Sequence, residues 1–121
     1  MAAGLTRQNI QALAQYFSIF PARKGTAKNT EHLEFGRNLW RAGTVPFNIA
    51  SCTGCHGPNG LGIPPVFPRL AGQNAEYTAT QLKAFQVQLR TNDQNAMMQR
   101  MSERMTEKEI TALANFIEGL R

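Results

Sequence analysis

The chain has 121 residues, which is room for one ordinary domain and hardly two. Hydrophobic residues make up 42% and charged residues 17%, a normal balance for a globular domain, and no apolar run reaches the length of a membrane-spanning helix. Thirteen Lys and Arg against eight Asp and Glu give +5, and two cysteines exclude both a disulfide framework and a four-cysteine zinc site.

The first predicted element is a helix that starts after Thr6, with Ile10, Leu13, Ala14 and Phe17 at helical spacing. Residues 18–30 read as a linker, with Pro21, Gly25 and small polar residues. Its basic patch of Arg23, Lys24 and Lys28 lacks interleaved aromatics and so reads as solvated rather than as a nucleic-acid surface. Residues 31–41 predict a second helix carrying Leu33, Gly36, Leu39 and Trp40, ended by Gly43. Residues 43–72 are long and irregular, broken by Gly54, Gly57, Pro58, Gly60, Gly62, Pro64, Pro65 and Pro68. Residues 75–89 predict a third helix with Thr78, Leu82, Phe85 and Leu89 on one face. A polar loop over 90–96 and a methionine-rich stretch lead into the last helix. There Thr106 and Glu109 form a capping box, Ile110, Leu113, Ala114 and Ile117 make the apolar face, and Gly119 ends the run. Nothing alternates as a strand, so the fold class is all-α with long loops.

The first and last helices resemble each other at an offset of one hundred. Thr6/Thr106, Ile10/Ile110, Ala12/Ala112, Leu13/Leu113 and Ala14/Ala114 are identical pairs. A repeat of that period cannot be whole in this chain. It divides the sequence into residues 1–30, the tail of a preceding unit, and residues 31–121, a complete one. Helices this short, around a long irregular segment, cannot easily bury a self-sufficient core. Something else is expected to fill the centre.

Cys52-Thr53-Gly54-Cys55-His56 is C-x-x-C-H, the pattern of covalent haem attachment. Two thiols three apart can add to the two vinyl groups of one porphyrin, and the adjacent imidazole can then reach the iron. A thioredoxin-like redox pair would want a βαβ setting, which is missing. A zinc site would need four ligands, and His32 is the only other His or Cys.

At this point the chain resembles the class I cytochromes c, and most of all the C-terminal haem domain of di-haem cytochromes of the c-four type. The resemblance rests on Gly36-x-x-Leu39-Trp40-Arg41-x-Gly43, Cys52-Thr-Gly-Cys-His-Gly-Pro-x-Gly60, Phe67-Pro-x-Leu-Ala-Gly-Gln73, Tyr77, Arg90-Thr-Asn-Asp93 and Met98-x-x-Met101-x-x-x-Met105-Thr106. It covers residues 31–121, and residues 1–30 resemble the last helix and linker of the first haem domain. It implies the class I cytochrome c fold, one haem c held by Cys52 and Cys55, and His56 as an iron ligand. It implies further that the Pro68 carbonyl accepts the other N–H of His56 and that Gly36 meets Phe116 at a helix crossing. Leu70, Tyr77, Trp40 and Phe85 are expected in the haem pocket or core.

Five methionines compete for the sixth iron position: Met1, Met97, Met98, Met101 and Met105. Met101 and Met105, at i and i+4 before a cap, suit packing. In the resembling family the ligand is followed by apolar residues three and seven positions later, just before a Ser/Thr cap. Met98 matches this and is assigned, with Met97 the alternative. A His/Met pair fills both axial positions and suits electron transfer rather than bond chemistry. The expected function is therefore periplasmic electron transfer, not catalysis, between quinol-oxidising complexes and a terminal oxidase or reductase. The alternative is a haem enzyme or gas sensor with a displaceable sixth ligand, and a thiol-redox or zinc module comes last. Partners are expected to be acidic or membrane-bound redox proteins, since haem propionates would offset only part of the +5. No signal peptide opens the chain, so it reads as a mature form or a fragment. The apolar stripe of residues 5–18 is expected to dock on its own haem domain, to pair with a second chain or to rest on a first haem domain.

Overall fold

A computed structural model describes residues 2–121. Met1, one of the five methionines weighed above, lies outside the described residues. Six α-helices follow in chain order: α1 (Arg7–Ser18), α2 (Leu33–Ala42), α3 (Thr53–His56), α4 (Ala75–Gln86), α5 (Met97–Ser102) and α6 (Glu107–Gly119). Pairing between extended segments among the described residues is limited to two isolated bridges, Thr44 with Ile49 and Ile63 with Phe67. The all-α reading therefore holds.

The core forms where α6 packs against α2 and α4, with α5 against α4. Trp40, Leu39, Leu82, Ile110, Leu113 and Ile117 are its buried apolar members. Thr106 starts α6 as the sequence demands. Its hydroxyl accepts from the Glu109 N–H, and the Glu109 carboxylate takes the Thr106 N–H. At the crossing of α2 and α6, Gly36 is required by close approach. A methyl group there would lie 2.3 Å from the Ala112 carbonyl oxygen and 3.0 Å from the Phe116 β-carbon. The nearest obstacle is thus the α6 backbone rather than the Phe116 ring alone.

Two helix ends differ from expectation. The third helix stops at Gln86, so Leu89 falls outside it and is exposed. Gly119 is the last residue of α6 and has an ordinary backbone conformation. Its role is steric, because a β-carbon there would come within 3.1 Å of Ala27. Residues 43–72 are irregular in helix content but not in bonding. Gly62 donates to His56 at 2.9 Å, Leu70 and Ala71 both donate to Gly60, and Ile63 donates to Phe67. Backbone polar groups must find partners when water is excluded, and this segment supplies its own.

The basic stretch after α1 stays largely exposed, as expected of a solvated linker, but is tied down as a strap at Arg23, Lys28 and Asn29. Arg23 donates to the Gly72 carbonyl and to Glu118 Oε1, both at 2.8 Å. Glu118 is only 1% exposed, so the guanidinium neutralises a carboxylate that would otherwise be buried alone. Asn115 accepts the Lys28 and Asn29 N–H groups at 3.0 Å and donates its amide back to the Asn29 carbonyl. Charge density in the sequence could not reveal these partners, which lie more than eighty residues away for Asn115 and Glu118. Gly72 lets the strap lie down. It has φ +78°, and a β-carbon would stand 2.2 Å from the Arg23 carbonyl oxygen. Gly72→Ala is therefore expected to cost about 1–3 kcal/mol. Limited proteolysis should show faster cleavage within residues 21–30. Unchanged cleavage would mean that the strap does not depend on this contact.

α1 stands apart from this core. Its capping box is complete, with Asn9 in the place Glu109 takes in α6. Yet Ile10, Leu13 and Phe17 are 51%, 41% and 64% exposed, whereas Ile110, Leu113 and Ile117 are 1–3% exposed. The local signal for the helix is the same at both ends, and only α6 has a partner surface.

Candidate haem site

Cys52 caps a single helical turn, α3, in which the His56 N–H donates to the Cys52 carbonyl at 2.9 Å. Residues i, i+3 and i+4 share one face of such a turn, which groups Cys52, Cys55 and His56. The turn is tied to α2 by the Cys52 N–H, which donates to the Trp40 carbonyl at 3.1 Å. Both cysteines are free thiols. Burial pushes the Cys52 thiol up to about 12, and the neighbouring Cys55 adds to the shift. Among the described residues, no three His, Cys, Asp or Glu side chains gather as a metal cluster would need. His32 sits at the cap of α2, its ring 3.8 Å from Glu31.

His56 is buried, and its Nδ1 lies 2.9 Å from the Pro68 carbonyl oxygen. A carbonyl can only accept, so Nδ1 carries the proton and the free lone pair is on Nε2. This arrangement fixes tautomer and ring orientation together. The ring also has Phe67 edge-on at 6.3 Å and Trp40 at 6.5 Å. Trp40 is fully buried, and its indole N–H donates to the Pro58 carbonyl at 3.0 Å. It thereby holds both sides of the attachment loop, a role that sequence reasoning did not assign. The available signal was general: a buried indole N–H needs an acceptor.

Leu70, Met98, Met101, Phe35 and Cys52 are half-buried, and each packs against the core cluster. Phe85 is buried in α4. Tyr77 lies in the first turn of α4 with half its surface exposed, outside the core cluster. Met97 and Met98 open α5, whose short helical form was not anticipated, and Met105 is buried. The Met98 carbonyl accepts from the Ser102 hydroxyl at 2.8 Å, and the Met98 N–H donates to Asp93 at 2.9 Å. Gln86 of α4 donates to the Ser102 and Met105 carbonyls at 3.0 and 2.7 Å, which fastens the far end of α5.

These residues fit a covalent haem. They offer two thiols and an imidazole with one nitrogen committed and the other free, and the Met98 thioether is on a residue that packs against the same core cluster as Cys52. This all-helical fold and its C-x-x-C-H turn define a c-type cytochrome. The family model described as Cytochrome c matches residues 41–121, and the chain belongs to that family. It is 38% identical over 122 residues to cytochrome c4 of Azotobacter vinelandii, covering 99% of this chain and 58% of that one. It is 36% identical to the thiosulfate dehydrogenase electron acceptor of Stutzerimonas stutzeri (strain A1501), covering 99% and 56%. Reduced recombinant cytochrome c4 from Pseudomonas stutzeri superposes with a TM-score of 0.92 at 37% identity, covering 100% of this chain and 64% of that structure. The chain thus spans less than two thirds of the length of these relatives. The cofactor that goes with the family and the spacing is one haem c, held through Cys52 and Cys55. No helix among the described residues is long and apolar enough to cross a membrane.

Proposed function

We propose that this chain is a one-electron carrier whose iron ligands are His56 and Met98. One observation carries the reading: the His56 ring is locked by the Pro68 carbonyl with Nε2 free, on the same turn as two unpaired thiols. Bound haem supplies a one-electron iron couple. Cys52 and Cys55 would hold it in the domain, Pro68 keeps His56 in one tautomer, and Met98 would supply a soft sulfur donor that favours ferrous iron. Leu70 and Tyr77 belong to the haem surroundings in this reading, Leu70 from the core side and Tyr77 from the edge.

Residues 1–30 are the last helix and strap of a preceding haem domain, and residues 31–121 are the following one. Support comes from the repeat of α1 and α6, from the unpartnered apolar face of α1, and from the greater length of the relatives. The carrier works in the periplasm with acidic or membrane-bound redox partners. The relative named as a thiosulfate dehydrogenase electron acceptor adds a dehydrogenase to the donor classes considered. An intact mass and a pyridine haemochrome spectrum of the purified chain test the core of this reading. One covalent haem and a one-electron redox titration are expected. A haem-free chain titrating as a two-electron thiol couple would refute it.

A further inference from the structure

We propose that Asp93 is a positioning residue for the Met98 ligand, an inference that rests on the assignment of Met98 made above. The backbone entering α5 is strained. Asn95 and Ala96 both have positive φ, 55° and 53°, although neither is glycine. For residues with a β-carbon that conformation is costly and persists only when the surroundings enforce it. Asp93 is what enforces it. Its Oδ2 accepts the Met98 N–H at 2.9 Å and the Gln99 N–H at 3.1 Å, and its Oδ1 accepts the Gln99 side-chain amide at 2.8 Å.

Two left-handed residues in a row redirect the chain, and one carboxylate holds the first turn of the helix that begins at Met97, through the N–H groups of Met98 and Gln99. The other end of the segment is held independently. Arg90 stacks 4.5 Å above the Phe85 ring, donates to Gln81 at 2.8 Å and to Asn92 at 2.9 Å, and its own N–H reaches the Ala84 carbonyl. The loop over 90–96 is thus pinned to α4 at one end and to the first turn of α5 at the other.

A charged acceptor lost from such a network weakens the held conformation by about tenfold in equilibrium terms. In the holoprotein Asp93→Ala should therefore let imidazole displace the sixth ligand of the ferric form with an apparent Kd about tenfold lower. The methionine–iron charge-transfer band should weaken in parallel, with the covalent haem unchanged by mass. Asp93→Asn keeps an acceptor for both N–H groups, and Gln99 can turn its amide to face it, so most of the clamp should be rescued. Thr106→Ala removes the cap of α6 and serves as a control for general loss of stability; it should leave imidazole binding unchanged.

Equal shifts in Asp93→Ala and Thr106→Ala, or none in Asp93→Ala, would overturn the proposal. Should Asp93→Ala not yield folded holoprotein, Gln99→Ala removes one donor only and should shift Kd by about two- to threefold, with no shift counting against the proposal. The ligand assignment is tested separately by Met98→Ala. If that variant keeps the charge-transfer band, Met98 is not the ligand and the earlier reading fails. If it loses the band while Asp93→Ala behaves as wild type, only the positioning role fails.

Discussion

Met98→Ala is expected to abolish the methionine–iron charge-transfer band of the ferric protein and to let the ferrous protein bind carbon monoxide. The variant trades a soft thioether for a methyl group at the start of α5, where the Asp93 and Ser102 contacts to its backbone survive. The helix should therefore stay in place while the ligand is lost. Cys52, Cys55 and the His56–Pro68 bond are untouched, so the variant should keep its covalent haem with one iron position open. Ferrous iron loses the donor that favours it, and the potential should fall by a sizeable part of the roughly 0.8 V that axial ligation spans. Met97→Ala is the paired control, expected to leave spectrum and potential in place. The opposite pattern would move the ligand to Met97.

Trp40→Ala should be the most damaging single change in the core. The indole is completely buried, packs 6.3 Å from Phe116 and 6.5 Å from His56, and bonds the Pro58 carbonyl. Truncating such a side chain costs about 3–5 kcal/mol. Trp40→Phe keeps a ring but leaves the Pro58 carbonyl without its donor, a loss of about 1–3 kcal/mol. Denaturant titration of the two holoproteins separates packing from hydrogen bonding. A cost below about 1 kcal/mol for Trp40→Ala would mean that the attachment loop is held by its covalent haem and not by the α2 indole.

The site was legible in the sequence to the extent that it is local. C-x-x-C-H works within one turn of helix, so its spacing alone places two thiols and an imidazole on one face. The capping box of Thr106 and Glu109 is likewise settled within four residues. The Pro68 carbonyl lies beyond that range, twelve residues from His56. Only family resemblance pointed to it. Asp93 appeared in the sequence as part of a polar loop, because nothing in a loop's composition tells which N–H groups its carboxylate will meet.

The sequence by itself determined the class of chemistry: a covalent haem c at Cys52 and Cys55, an all-helical frame and the likeness that makes α1 an echo of α6. The tertiary structure alone decided which charges are partnered and which apolar faces are covered. Arg23 looks solvated until Glu118 is brought beneath it from ninety-five residues away. Ile10 and Ile110 carry the same local code, yet one is exposed and the other buried, because α2 and α4 pack against α6 and no helix among the described residues packs comparably against α1. Short-range spacing fixes helices and their caps through hydrogen bonds a turn apart. Burial and ion pairing depend on surfaces that meet only when distant segments fold together.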